Sequence, residues 1–307
     1  MACFGHNPKH AILSNVISMN KSIDLENIKE QMIRLKEKRP AYKDILTFFE
    51  KIITKQAGIR PSIELPLFEL ESELKKLQTK EGFPLVNKED FRIDIPSSIT
   101  LFQYLCEIGK HTTDKMKEDM KAIEQAYTNS AIDLEELMKG HFDDAYLDRL
   151  AEGLNIEKAI LKFFVHMSIK PSIDANIDTL KHRIDLGLWQ KGYCPICGSL
   201  PHMSELRGEG QRYFLCSFCG FKWPGERMMC PFCENRNHKD LQYFYAEGNE
   251  VHRVDVCNKC KQYIKTVDTR KLDYEPDLNL EDITTIHLDI LTSQKGFKRP
   301  VPSPWGP

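Results

Sequence analysis

Eight of the ten cysteines fall between positions 194 and 260, and they form four C-x-x-C pairs. The pairs are Cys194/Cys197, Cys216/Cys219, Cys230/Cys233 and Cys257/Cys260. A two-residue gap lets both sulfurs of one knuckle point at a common centre. Two knuckles then complete the tetrahedron of thiolates that zinc and iron accept. Where thiols are kept reduced, such clustering reads as metal ligation before disulfide formation. A thioredoxin-type pair would need one C-x-x-C beside a βαβ pattern, which this sequence lacks. The segments between successive pairs are 18, 10 and 23 residues long. Those of 18 and 23 each carry one predicted hairpin. The expected sites are therefore Cys194/Cys197 with Cys216/Cys219, and Cys230/Cys233 with Cys257/Cys260. A cross-braced pairing stays open, but it would leave each hairpin without its own staple.

Gly198 and Gly220 follow the first two knuckles, where a left-handed backbone turns N–H groups toward sulfur. Glu234 and Lys261 stand at the same place in the second pair, so a looser second site is expected. Spacing does not separate the metals. Zinc would be structural, whereas iron would add a one-electron couple.

The elements that must position these knuckles follow from periodicity. From 193 to 267 the pattern is one of aromatic and β-branched runs around glycine turns. Leu206, Gly208-Glu-Gly210 and Arg212–Leu215 predict one hairpin; Tyr243–Tyr245, Glu247–Glu250 and Val251–Val256 predict another. The first 190 residues have the helical period instead. Asp24 is the expected N-cap of a helix carrying Leu25, Ile28, Met32 and Leu35, stopped by Pro40. A second helix carries Ile45 to Ile53 and closes near Gly58, and a third is expected at 67–79. Gly82–Pro96 reads as an irregular connection, and Ser97 or Ser98 as the cap of a helix through Leu101 and Leu105. Further helices are expected at 114–127, 132–139, 142–153 and 156–169, with turns at Gly140, Gly153 and Pro171. Glu281–Thr292 is helical again, before a Pro-rich tail. The fold class is α+β: an all-helical domain at 1–190, small four-cysteine modules at 191–227 and 228–271, and a C-terminal helix and tail at 272–307.

Composition narrows the function. The 307 residues carry 43 Lys and Arg against 45 Asp and Glu, which removes the strongly basic balance that nucleic acid asks for. Residues 191–271 hold 13 Lys and Arg against 9 Asp and Glu. Two tetrathiolate centres, each net negative once a divalent ion is bound, cancel that excess. No nucleic acid is expected. No run is long enough for a membrane span, and the first residues lack a secretory pattern, so a cytoplasmic protein is expected.

Other candidates are weaker. Cys3, His6 and His10 have a chance spacing; His111, His141 and His166 stand alone. Gly208-x-Gly210 is a hairpin turn, and Glu135/Glu136 and Asp143/Asp144 read as solvated helix faces. No catalytic constellation is present, so the expectation is not an enzyme.

The stretch Trp189–Gly198, then Cys216–Cys219, Trp223, Arg227, Cys230–Cys233, Cys257–Lys265, Asp282–Leu291 and Gly296–Arg299, resembles FdhE-type formate dehydrogenase accessory proteins. The resemblance covers roughly the last 120 residues. It implies an all-α domain followed by two rubredoxin-like or zinc-ribbon modules, with iron favoured over zinc at the eight cysteines. It also implies an assembly factor that binds the catalytic subunit of formate dehydrogenase, and it carries no oligomeric state. The linker Phe221–Met229, apolar and fixed at both ends by cysteines, is the candidate client contact, although for any one of Phe221, Trp223, Met228 and Met229 packing of the two modules together is the expected role. The alternatives are a rubredoxin-like electron carrier and a zinc-ribbon nucleic-acid binder.

Overall fold

The computed structural model describes residues 24–68, 81–187 and 189–303. These fall into two units, one of residues 24–67 and 88–176, the other of 68, 81–87, 177–187 and 189–303. Cys3, His6, His10 and the expected helix at 67–79 lie outside the described residues, apart from the first positions of that helix.

The first unit is helical. Its elements are α1 (Leu25–Lys38), α2 (Lys43–Ile59), α3 (Ile95–Gly109), α4 (Asp114–Thr128), α5 (Leu134–Lys139), α6 (Asp144–Leu154) and the first part of α7 (Lys158–Leu180). Asp24 caps α1 by accepting from the Asn27 amide at 3.2 Å. Three expectations need correction here. Asp94, not Ser97 or Ser98, caps α3, and the Ser97 amide is the donor to it at 2.9 Å. Pro96 is thereby placed in the first turn, where its missing N–H removes no helical bond.

The second correction concerns Pro171, which lies inside α7 and does not end it. A proline cannot donate to the carbonyl four residues before it, here that of Met167. The buried Gln56 side chain donates to that carbonyl at 2.6 Å. The helix is apolar on nearly every side, with Leu161, Phe164, Ile169 and Ile173 all buried, and this burial outweighs the defect. Likewise Gly153 does not end α6; the left-handed residue is Asn155. No helix among the described residues is long and apolar enough to cross a membrane.

The second unit is built on a six-stranded sheet of β1 (Pro201–Arg207), β2 (Gln211–Cys216), β3 (Lys222–Gly225), β4 (Leu241–Ala246), β5 (Asn249–Cys257) and β6 (Gln262–Asp268). The order is β3-β2-β1-β6-β5-β4. Both predicted hairpins form, β1 with β2 and β4 with β5. The modules do not stay apart, however. β1 pairs with β6 in parallel, from Met203↔Lys265 to Leu206↔Asp268, and fuses two three-stranded repeats into one sheet.

Strand alternation gives this sheet two unlike faces. On one face Met203, Leu215 and Val267 pack with Leu278, and Val254, Val256 and Tyr263 pack with Leu288. Those leucines belong to α8 (Leu278–Ile283) and α9 (Ile286–Gln294). The single expected C-terminal helix is thus two. Thr284 and Thr285 separate them, and their hydroxyls donate back to the Leu280 and Glu281 carbonyls at 3.0 and 2.6 Å. The other face carries Ser204, Arg212, Phe214, Trp223, Arg253, Asp255 and Thr266.

Candidate metal centres

The structure brings the eight cysteines into two groups of four, Cys194 with Cys197, Cys216 and Cys219, and Cys230 with Cys233, Cys257 and Cys260. Within each group all sulfurs lie within 4.8 Å of one another. The cross-braced alternative is not the one formed.

All four knuckles share one backbone. The residue after each pair donates its amide to the carbonyl of the first cysteine: Gly198 to Cys194 at 2.9 Å, Gly220 to Cys216 at 3.2 Å, Glu234 to Cys230 at 2.9 Å and Lys261 to Cys257 at 2.8 Å. Glu234 and Lys261 take φ of 54° and 58°, beside 73° at Gly198 and Gly220. The second site therefore has the same turn as the first and stores about 1–2 kcal/mol of strain at each non-glycine residue. The expected looseness is not in its backbone. What differs is exposure: all four cysteines of the first group are buried, whereas Cys233 and Cys260 are half-buried.

The donor set fits a tetrahedral metal. Sulfurs about 2.3 Å from a central ion stand about 3.8 Å apart. The structure holds Cys194 and Cys219 at 3.7 Å, Cys197 and Cys216 at 3.5 Å, Cys230 and Cys260 at 3.7 Å, and Cys233 and Cys257 at 3.7 Å. Burial pushes the Cys194 and Cys219 thiols well above the ordinary range, and raises Cys260 to about 11. Burial opposes ionisation of Cys197 too, yet hydrogen bonds from Cys194, Cys216 and Cys219 lower it. Four thiolates in one cluster need a cation, and a bound divalent ion deprotonates its thiols outright. The two clusters can hold two metal ions.

Parts of the chain that spacing did not single out support the knuckles. Leu85 and Val86 donate amides to the Pro195 and Ile196 carbonyls, both at 2.9 Å, so the irregular connection after Gly82 braces the first knuckle. Tyr193 donates its hydroxyl to the Gly82 carbonyl at 2.6 Å, and the Trp189 indole donates to the Tyr193 carbonyl at 2.9 Å. Ser199 donates its hydroxyl to the Cys197 sulfur at 3.4 Å. Gly192 joins the modules: a Cβ there would stand 2.0 Å from the Pro231 carbonyl oxygen. Because that obstacle is backbone, Gly192→Ala is expected to cost about 3 kcal/mol, the upper end for overpacking. A drop in the thermal midpoint with release of the second metal before the first is the measurement; an unchanged midpoint would show that the knuckle moves freely.

Three of the four apolar linker residues take the packing role. Phe221 and Trp223 are fully buried and Met229 nearly so, Phe214 and Trp223 lying 5.6 Å apart between ring centres. Only Met228 of the four apolar residues is exposed.

Comparison with known proteins shows what the cysteine-bearing region is similar to. Residues 193–227 match the FdhE central domain, and residues 228–305 the FdhE C-terminal domain. An FdhE homologue from Aquifex aeolicus is 27% identical over 267 residues, 86% of this chain and 88% of its own. FdhE from Salmonella arizonae is 32% identical over 111 residues, 35% of each chain. The crystal structure of FdhE from Pseudomonas aeruginosa is similar in fold, with a TM-score of 0.66 over 91% of this chain and 94% of that one, at 21% identity. The FdhE likeness in fold thus reaches beyond the cysteine modules.

Proposed function

We propose that the chain is a formate dehydrogenase accessory protein, a non-enzymatic cytoplasmic factor that binds the enzyme's catalytic subunit during its assembly. The observation that carries this reading is the coincidence of the FdhE central and C-terminal domains with the two four-sulfur clusters. In this reading Cys194, Cys197, Cys216 and Cys219 ligate one ion and Cys230, Cys233, Cys257 and Cys260 the other, in modules at 191–227 and 228–271. The helical domain is the unit of residues 24–67 and 88–176, and the C-terminal helices follow the second module. Iron is favoured over zinc. Bound iron would supply a one-electron couple, while the ligand cage would fix the strands in either case.

The half-buried second cluster supports electron transfer as the second reading, since its sulfurs approach the surface. Capture of the formate dehydrogenase catalytic subunit by the intact, metal-loaded chain separates the two. The assembly reading expects capture, lost in a Cys230→Ser/Cys233→Ser variant, and poor enzyme maturation in a deletion strain. No capture, together with full maturation in that strain, would reject it.

A further inference from the structure

The two modules repeat more than their cysteines. Arg212 stands four residues before Cys216, and Arg253 four before Cys257. Both sit on equivalent strands and face the side of the sheet that α8 and α9 leave open. Both are buried, and each guanidinium lies over an aromatic ring, Arg212 over Phe214 at 4.9 Å and Arg253 over Tyr243 at 4.6 Å.

They converge on a single carboxylate. Asp255 lies 3.2 Å from Arg212 Nη2 and 3.0 Å from Arg253 Nη2, and it also accepts from the Thr266 hydroxyl. Arg212 further donates to the Ser204 hydroxyl at 3.2 Å and the Met229 carbonyl at 3.4 Å. The Nε of each arginine, buried, has no hydrogen-bond partner among the described residues. Two guanidinium groups meet one carboxylate, so a second anion, either the second metal centre or a ligand, must balance them, since buried charge is retained only with a partner.

Both arginines line a cavity of about 140 Å³, walled also by Met229 and Phe232 of the linker side and by Tyr243. Arg227, exposed, stands at its edge. We propose that this cavity is a carboxylate-binding site, in which Arg212, Arg253 and Arg227 take a carboxylate carried on an apolar body. Planar guanidinium forks match planar carboxylates, and the aromatic and methionine walls match the apolar part. The proposal does not rest on the assembly role. Cys230 and Cys257 also line the cavity, so the second metal centre is the competing anion that the arginines could serve.

Calorimetric titration of the full, metal-loaded chain with benzoate and with neutral benzamide tests this. Saturable binding of benzoate without benzamide is expected. Arg253→Met weakens it by roughly tenfold or more, the usual loss for a charged hydrogen bond, with both metals retained. Arg227→Gln, exposed and tolerant of change, weakens it a few-fold with folding untouched. A short peptide with a central Glu, compared with its Gln version, then distinguishes a carboxylate presented by a protein from a free one. Equal response to benzamide, no benzoate binding, or wild-type affinity in both variants would overturn the proposal. So would loss of the second metal from Arg253→Met with binding unchanged in Arg227→Gln, because the arginines would then be partners of the metal centre.

Discussion

Cys194→Ser is expected to leave the chain with one bound metal ion in place of two and to unfold β1–β3. A structural tetrathiolate ion contributes about 10–16 kcal/mol of apparent folding free energy, comparable with the roughly 5–15 kcal/mol stability of a whole domain. Three short strands have too little core to survive that loss. The second cluster keeps its own hairpin, from Leu241↔Cys257 to Tyr245↔Arg253, and its own third strand, β6. It therefore keeps its ion. What it loses is the parallel partner β1 along Met203–Leu206, so its metal should be released at lower chelator concentration than in the wild type. Metal analysis with hydrogen exchange reads all of this. Amide protection should vanish in β1–β3, persist in β4–β5, and persist in the helices of residues 24–176. Retention of two ions would remove Cys194 from the ligand set. Loss of both would mean that the fused sheet is a single cooperative element with no separable sites.

The cysteine pairing was legible because each hairpin is local. Gly208-Glu-Gly210 and Glu247–Glu250 are turn signals that alternation confirms on both sides, and a loop between two knuckles can close in only a few ways. The fusion of the modules was not legible, because parallel pairing of β1 with β6 joins strands far apart in the chain and leaves no turn between them. Periodicity also failed wherever a side chain replaced the expected backbone partner. Pro171 reads as a stop until Gln56, from a distant helix, serves the Met167 carbonyl. Glu234 and Lys261 read as defects until their left-handed φ is seen, since a non-glycine residue can hold that conformation when the knuckle around it demands it.

Charges inside strands were the missed signal. Arg253 and Asp255 alternate with Val254 and Val256, which places charged side chains on one face of a strand whose other face is core. Lys265, flanked on its own face by Tyr263 and Val267, poses the same question on the covered side, where a cation needs anions from another element. The C-terminal stretch answers it. Gly296, at φ 82°, turns the chain so that Lys298 pairs alongside Gln262 and Arg299 points inward. The sequence Gly296–Arg299 is thus a structural clasp, whose chemistry depends on partners that only the fold brings together.

Lys265→Met is expected to destabilise the second unit by about 3 kcal/mol at neutral pH, the lower end for breaking a buried ion pair, because one cation remains. Lys265 lies between the two apolar clusters under α8 and α9 and is 1% exposed. Its ammonium stands 2.7 Å from Asp282 and 2.6 Å from Asp289, and donates to the Asp282 carbonyl at 2.9 Å. Arg299 reaches the same carboxylates at 2.7 and 3.4 Å, and Tyr263 donates to Asp289 at 2.8 Å. Burial alone would push the Asp282 carboxyl up, but the Lys265 and Arg299 cations hold it well below the usual carboxylate range. A depressed folded value stabilises above the unfolded pKa of about 3.9, and the contribution is lost as pH falls from there toward the folded value. In Lys265→Met the stronger of the two cations is gone, burial takes over, and the Asp282 carboxyl rises. The variant then takes up a proton in the folded state where the wild type does not. The stability gap between the two chains should therefore be widest near pH 7 and narrow as pH falls through about 5 to 3. Release of metal in acid acts on both chains and cancels in that difference. Urea midpoints at several pH values read the gap. An Asp282→Asn/Lys265→Met double variant should lose less than the two single losses added together. A gap constant with pH, or additive single losses, would mean that Lys265 is held by packing of its alkyl chain and not by the charges around it.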